Sequence, residues 1–397
     1  MSVLWWRRLS DWIPATAAAA AVLPLVSIAV FNIVLALAAL LAALERRLRF
    51  PPRVLAPLGC FLGWTLICWL LSGHWAAGWP QIRKFYVFLI LPVVYGGLCK
   101  STDVWRLVLL WSLTGAASAA VALVQFWLKW MAAAGSGAPF YTAYVADRIT
   151  GFMSHWMTFS GQMASVLCLA VALAAGSRGR MRWAALGTVA LLALALVLGL
   201  TRGMWIAATA GLGVFVALAW PRWLLAAPVA VLLLAAVSPG FVRQRAASII
   251  APHGDLDSNR HRAVLLAAGV NMVRAHPLLG LGPEQPGRQF SQYVPAWAYP
   301  LPDGWYGHLH NTYLQYAAER GVPGLIFFLW LALRTLFDFF RGARTGCGQR
   351  RWLLLGLACA LVVFLVGGLF EFNLGDSEVL ALFLACIGAG YRVLEDA

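Results

Sequence analysis

Apolar runs long enough to cross a bilayer, which takes roughly 20 helical residues, succeed one another along most of this chain, with short arginine-rich turns between them. Leu4 to Leu44 is one long apolar stretch interrupted by Pro14 and Pro24, with Arg7 and Arg8 before it and Arg46, Arg47, Arg49 and Arg53 after it. Basic residues at both ends predict a hairpin of two short spans with both ends on the inner side. The pattern predicts ten more spans, over Val54–Ser72, Ile82–Cys99, Val104–Val124, Gly151–Ala175, Trp183–Leu200, Met204–Ala219, Trp223–Val237, Pro323–Phe340, Trp352–Phe370 and Glu378–Leu394. Gln125 to Thr150 reads as an outer loop with an interfacial segment around Phe126–Met131. Ser238 to Arg320 is the one long polar segment. The expected fold class is therefore an all-α polytopic membrane protein of about 12 transmembrane helices. Its parts are 1–237 (nine spans), 238–322 (a large outer loop containing short helices and the site) and 323–397 (three spans).

Composition agrees: 62% of residues are hydrophobic and 11% charged, a balance outside the soluble range. The first run continues too long for a cleavable signal peptide, and arginine follows it where a small-residue cleavage site would stand. The net charge of +15 could point to nucleic acid, but the basic residues sit mostly in short loops between spans, where topology accounts for them. No nucleic-acid partner is expected; membrane lipids are. With both termini inside, 18 of the 30 Lys and Arg fall on the inner side and only 5 in short outer loops. Long loops translocate regardless of charge, so the 238–320 segment is placed outside. The seven cysteines lie in spans or near Arg344, which leaves neither a disulfide framework nor a cysteine metal site.

The polar chemistry is concentrated in the large loop, which holds five of the seven histidines. It ends in the stretch from His308 to Gly324. Asn311 reads as an N-cap, Thr312–Arg320 as a short helix, Gly321 as its left-handed stop, and Pro323 as the first turn of the next helix. His310, Leu314, Ala317 and Gly321 then share one face, which aims His310 at protein. An imidazole there is either a structural histidine or a base. Arg202, in the turn between two apolar spans, is either a snorkelling loop arginine or a bidentate phosphate ligand. Arg262, at the start of a helix expected over Ala263–Val273, is an ordinary loop charge or a second such ligand; Arg260, His261 and Arg274 have weaker claims. Arg83 and Lys84, at the outer end of a span, suit a lipid pyrophosphate or lipid headgroups. Asp255-x-Asp257 has the spacing of a nucleotide-sugar metal pair, yet nucleotide sugars belong on the inner side. His308-x-His310 could be half of a zinc site, but no third ligand stands out, and the stretch reads as metal-free. Gly280 to Gly287 reads as a tight turn, because no strand precedes it to make a dinucleotide fingerprint.

His310-Asn311, followed nine residues later by Gly321-Val-Pro-Gly324, resembles the signature of the O-antigen ligase and polymerase superfamily. Thr201-Arg202-Gly203-Met204-Trp205 resembles its Arg-Gly turn, and Arg262 with His276-Pro-Leu-Leu-Gly-Leu-Gly282 resembles its loop arginine and Pro-Leu-Leu-Gly-x-Gly run. These motifs occur in family order in the second half of the chain; the first half is similar only in hydropathy. The resemblance implies a GT-C-like glycosyltransferase of the bacterial inner membrane, with cytoplasmic termini and a periplasmic site. The implied donor is O-antigen on undecaprenyl pyrophosphate, and the implied acceptor is lipid A–core. His310, Arg202 and Arg262 would be catalytic, with weaker substrate-binding roles for Arg83, Lys84, Arg260, His308 and Asn311. A pyrophosphate leaving group needs no general acid, so two arginines can hold its charge without metal or cofactor, and direct displacement would invert the anomeric centre. The alternatives are a polymerase of the same superfamily and a protein-glycosylating ligase, whose members usually carry a longer C-terminal region. A transporter is a further class, but it needs polar or broken helices at the midplane, where these spans have almost no ionisable residues.

Overall fold

An apolar run in a bilayer satisfies its backbone through the helix's own ladder of hydrogen bonds. The computed structural model describes residues 2–137, 139–226, 229, 233, 236–251 and 259–396, and among them there are helices and no strand. Among the described residues, eight helices are long and apolar enough to cross a membrane.

The chain opens with α1 (Ser2–Val22) and α2 (Ile28–Leu44), joined by a 3-10 turn at Leu23–Leu25 around Pro24. This is the expected hairpin, with Pro14 inside α1 and not at its end. Neither helix is among the eight: α1 carries Arg7, Arg8 and Asp11, and α2 has only 17 residues. α3 (Pro52–Leu71) follows as expected. The span expected over Ile82–Cys99 is instead broken into α4 (Trp75–Arg83), a 3-10 segment at Lys84–Leu89, and α5 (Ile90–Gly97). Pro92 has no N–H to give to the carbonyl of residue 88, so the ladder cannot run through. Such irregular backbone is tolerated where protein covers it, and Ile90 to Tyr95 are all buried.

α6 (Ser101–Ser136) has 36 residues. At 1.5 Å per residue it is about 54 Å long, well beyond a bilayer core of about 30 Å. The expected interfacial segment at Phe126–Met131 is its continuation, and Phe126 packs there against Phe140 and Tyr144 of α7 (Phe140–Ala146). α8 (Trp156–Gly176), α9 (Gly179–Leu198) and α10 (Arg202–Ala219) match the expected spans within a few residues. The span expected over Trp223–Val237 begins in a 3-10 segment, Pro221–Ala226, and seven of its later residues fall outside the described residues, as do Asp255 and Asp257. The polar segment carries α11 (Gly240–Ala247), α12 (Asn259–Ala275), and the short α13 (Gln285–Arg288) and α14 (Phe290–Tyr293). α15 (Thr312–Thr345), α16 (Gly348–Gly367) and α17 (Ser377–Glu395) complete the bundle. α8 is the most enclosed span and packs against α6, α9, α10 and α16. Small residues allow the close approach: Gly356 lies so near Ala172 that a Cβ would collide with it. The polar segment has its own apolar core, in which Val264, Leu265, Ala268 and Met272 of α12 meet Leu281, Phe290, Leu309 and Ala318.

Gly321 ends the first of two helices, as expected, and the second follows it directly, so that α15 is a kinked pair. α15 runs from Thr312 through the expected tenth span, and Gly321 kinks it with φ 69° and ψ 177°. The kink uncouples three backbone groups, and the 277–282 turn takes up all three. Val322 N–H, turned from the Ala318 carbonyl, donates to Pro277 O (2.7 Å). The Ala318 carbonyl accepts from Leu281 N–H (2.8 Å). The Glu319 carbonyl, which Pro323 cannot serve, accepts from Gly282 N–H (3.0 Å). The two motifs, 276–282 and 319–324, are thus one interlocked backbone joint. Below it Arg320 pairs with Glu319, both side chains fully buried. Arg320 also donates to Thr65 Oγ1 (3.0 Å) and lies over the Tyr316 ring, while Glu319 accepts from Gln315 Nε2 (2.8 Å). Gln315 in turn accepts from Leu309 N–H (2.9 Å), which ties the joint to the residue before His310.

Gly321→Ala is expected to destabilise the protein, because the new Cβ would overlap Leu278 O and the backbone conformation suits only glycine. Such strain costs about 1–3 kcal/mol before the clash is counted. The expected readout is a lowered melting temperature of purified protein in detergent; an unchanged melt would mean that the joint tolerates a side chain.

Candidate active site

A cavity of about 700 Å³ lies where the polar segment meets the ends of the bundle. Three helix N-termini reach its wall: Trp156–Thr158 of α8, Thr201 and Arg202 of α10, and Asp376 and Glu378 of α17. Unpaired N–H groups at such ends favour an anion. Four arginines line the same cavity: Arg148, Arg202, Arg245 and Arg262.

Each arginine is held differently. Arg202 is buried at the first residue of α10 and donates to Ser248 O, Ser248 Oγ (3.2 Å) and Asn259 Oδ1 (2.7 Å). Arg245, from α11, donates its Nε to Leu200 O (2.9 Å), the residue that precedes the Thr201-Arg202 turn with φ 46°. Arg148 donates Nε to Val145 O (3.0 Å) and stands over the Trp156 ring. Burial, with the charges of Arg245 and Arg262 beside it, lowers its pKa to about 9. Arg262 is half-buried and makes no hydrogen bond or ion pair with any described residue. Burial lowers its pKa too, Glu371 opposes that shift, and Arg245 adds to it. Guanidinium groups concentrated in this way destabilise one another unless an anion joins them.

His310 lies outside the helix that was expected to aim it. The helix begins at Thr312 with Asn311 as its N-cap, whose Oδ1 accepts from Leu314 N–H (2.9 Å). His310 has φ 47°, a left-handed conformation that costs a non-glycine residue energy. What aims it is a carboxylate. Its Nδ1 lies 2.7 Å from Glu371 Oε2, in the turn after α16. The surrounding backbone is stitched to that turn: Thr312 N–H donates to Gly368 O (2.7 Å), Asn311 Nδ2 to Leu369 O (3.0 Å), and Thr312 Oγ1 to Glu371 O (3.0 Å). Burial raises the Glu371 pKa. The His310 hydrogen bond, with His310, His308 and the Arg262 guanidinium beside it, outweighs that, and the net direction is down. An ionised Glu371 only accepts, so Nδ1 carries a proton; in the neutral imidazole it is then Nε2 that keeps the lone pair.

Glu371 also supplies the third group that the sequence lacked beside His308 and His310; ligand atoms of the three lie within 4.8 Å of one another. The donor set still suits a hydrogen-bonded cluster better than a cation. His308 Nδ1 accepts from His310 N–H (3.1 Å), so the Nε2 that faces Glu371 Oε1 at 3.5 Å must carry the proton. A metal at that nitrogen would force a proton onto Nδ1, against the backbone donor. Burial lowers the His308 pKa to about 4 against the pull of Glu371, so His308 stays neutral. His261, buried at the wall, points Nε2 at Trp305 O (3.0 Å) and must donate there. Asp376 accepts from Thr158 Oγ1 (2.7 Å), and burial raises its pKa to about 6.

The cavity thus brings together Arg202, Arg262, His308 and His310. Asn311 only caps the helix, and Arg260 is exposed and donates to Pro300 O (2.8 Å). Arg83 is exposed on α4, and Lys84 donates to Gly375 O (2.8 Å); neither lines the cavity. Arg148, Arg245, Glu371 and Asp376 escaped the sequence reading. An acidic residue next to an apolar span was the available signal for Glu371 and Asp376; Arg148 and Arg245 look like any loop arginine.

No curated protein matches the chain. Residues 187–329 match the sequence profile of a family described as O-antigen ligase. That stretch begins within α9, ends within α15, and contains Arg202, Arg245, Arg262, His308 and His310; Arg148, Glu371 and Asp376 come from outside it. Over that stretch, which carries most of the cavity's basic side chains, the chain is similar to the O-antigen ligase family.

Proposed function

We propose that the protein is an inverting, metal-independent glycosyltransferase that moves O-antigen polysaccharide from undecaprenyl pyrophosphate to lipid A–core. The site is placed at the periplasmic face of a bacterial inner membrane, with both termini cytoplasmic and a GT-C-like architecture. One observation carries the reading: four arginines and three helix N-termini share a cavity with the Glu371-held His310. The arginines suit a pyrophosphate, which demands charge and bidentate donors. His310 Nε2 suits the acceptor hydroxyl. As that oxygen bonds to the anomeric carbon, its proton passes to Nε2 and the carbon–oxygen bond to pyrophosphate breaks. The leaving group departs into the arginines, and the anomeric centre inverts. Energy comes from the lipid pyrophosphate linkage, so no ATP is required on the outer side. The proton positions around His308 support chemistry without a metal. The periplasmic placement rests on the excess of Lys and Arg in the opposite loops.

In a purified assay, Arg202→Ala and Arg262→Ala should each lower turnover by an amount comparable to losing an oxyanion donor, roughly 3–4 kcal/mol. Lysine should rescue Arg262 poorly, because a point charge lacks the fork. His310→Ala should lower turnover and leave lipid-pyrophosphate binding nearly intact. Activity should survive excess EDTA; a loss restored by Mg²⁺ or Mn²⁺ would overturn the metal-free reading. A deletion strain should carry bare lipid A–core while polymer accumulates on undecaprenyl pyrophosphate. Core capped with a single repeat would instead identify a polymerase. Reporter fusions after Arg180 and Arg350 should read cytoplasmic, and fusions after Arg288 periplasmic; the reverse would move the site to the wrong face for these substrates.

A further inference from the structure

A second basic pocket lies at the other end of the bundle. α17 has 19 residues, so its ends stand about 28 Å apart; Asp376 and Glu378 at its start line the active-site cavity, and Arg392 and Glu395 at its end line this pocket. The pocket has a volume of about 320 Å³ and is walled by Arg47, Arg49 and Arg392, with Tyr95, Cys99 and Glu395. Glu395 is the only acidic residue among them, and it already accepts from the Tyr95 hydroxyl. The cations are poorly matched to what surrounds them. Arg392 Nε is buried with no hydrogen-bond partner among the described residues. Arg47 gives Nη1 to the Cys99 sulfur (3.2 Å), a weak acceptor. The pocket is also tightly built: Gly96 lies so close to Arg47 O that a side chain there would collide with the backbone.

A ladder of exposed apolar residues leads to it. Val30, Ile33, Leu37, Leu40 and Leu44 lie along one stripe of α2, each between 46% and 71% exposed, and the stripe ends one turn before Arg47. On a helix in a bilayer such a stripe faces lipid chains, and basic pockets at the ends of spans hold lipid headgroups. We propose that Arg47, Arg49 and Arg392 bind the phosphate of an anionic membrane lipid whose acyl chains lie along α2. The phosphate supplies Arg47 with a stronger acceptor than the Cys99 sulfur and brings negative charge to the three guanidinium groups, and α2 supplies the chain-binding surface that a soluble phosphate would not need. The site is independent of the transferase reading, since it shares no residue with the active-site cavity.

The test uses purified full-length protein in neutral detergent, with binding read by native mass spectrometry and by thermal melts. Phosphatidylglycerol should bind and raise the melting temperature, while phosphatidylcholine should not. The double variant Arg47→Gln/Arg392→Gln should weaken phosphatidylglycerol binding roughly tenfold or more. Arg180→Gln, which removes an exposed arginine elsewhere, should leave it unchanged. Glu395→Gln should tighten it several-fold, a gain that damaged folding cannot mimic. Equal weakening by Arg180→Gln would reduce the effect to diffuse surface charge and overturn the proposal. Stabilisation by inorganic phosphate alone, equal to that by the lipid, would overturn the lipid assignment. An unchanged or weaker affinity in Glu395→Gln would show that the pocket is not where the headgroup binds.

Discussion

The contact between Glu371 and His310 joins two parts of the chain that lie 61 residues apart. A carboxylate buried at the end of an apolar bundle is costly unless charge and hydrogen bonds compensate it. Here the compensation comes from His310, His308, Arg262 and the Phe372 N–H (3.0 Å). The interaction works in both directions. The histidine keeps the acid ionised, and the ionised acid fixes which histidine nitrogen is free. The strained backbone at His310 persists because the residues after it, Asn311 and Thr312, are bound to the 368–371 turn by three hydrogen bonds.

The kink at Gly321 supports that arrangement from the other side. A continuous helix would leave the 277–282 turn without these backbone partners. By redirecting three hydrogen bonds, the kink anchors α12 and the apolar core around it beside the cavity. The buried Glu319–Arg320 pair then connects, through Gln315, to the backbone just before His310. The residues of the recognisable motifs therefore divide by role: Gly280, Gly282, Gly321 and Pro323 shape the joint, while Arg202, Arg262 and His310 face the cavity.

Much of this was legible in the sequence, for identifiable reasons. Long apolar runs without internal prolines became single helices, as in α8, α9 and α16. The reading failed where length and pattern underdetermine the backbone. Pro92 turned an apolar run into a broken segment, and α6 overshot the membrane because nothing in its sequence stops a helix at Val124. Helical periodicity pointed His310 at protein for a reason that does not hold, since His310 precedes the helix. Glu371 and Asp376 carried only the general signal of an acid beside an apolar span, because what makes them site residues is proximity across the fold: a tertiary approach to His310, and to Thr158.

The central claim is that Glu371 acts through His310 and that His310 receives the acceptor's proton. A double-mutant cycle of turnover over Glu371→Gln and His310→Ala, with folding checked by melts, tests it most directly. The account predicts a strongly non-additive cycle: Glu371→Gln lowers turnover in the wild-type background and has almost no further effect once His310 is alanine. Additive losses, with each substitution costing the same in either background, would mean that the two residues act independently and would contradict it.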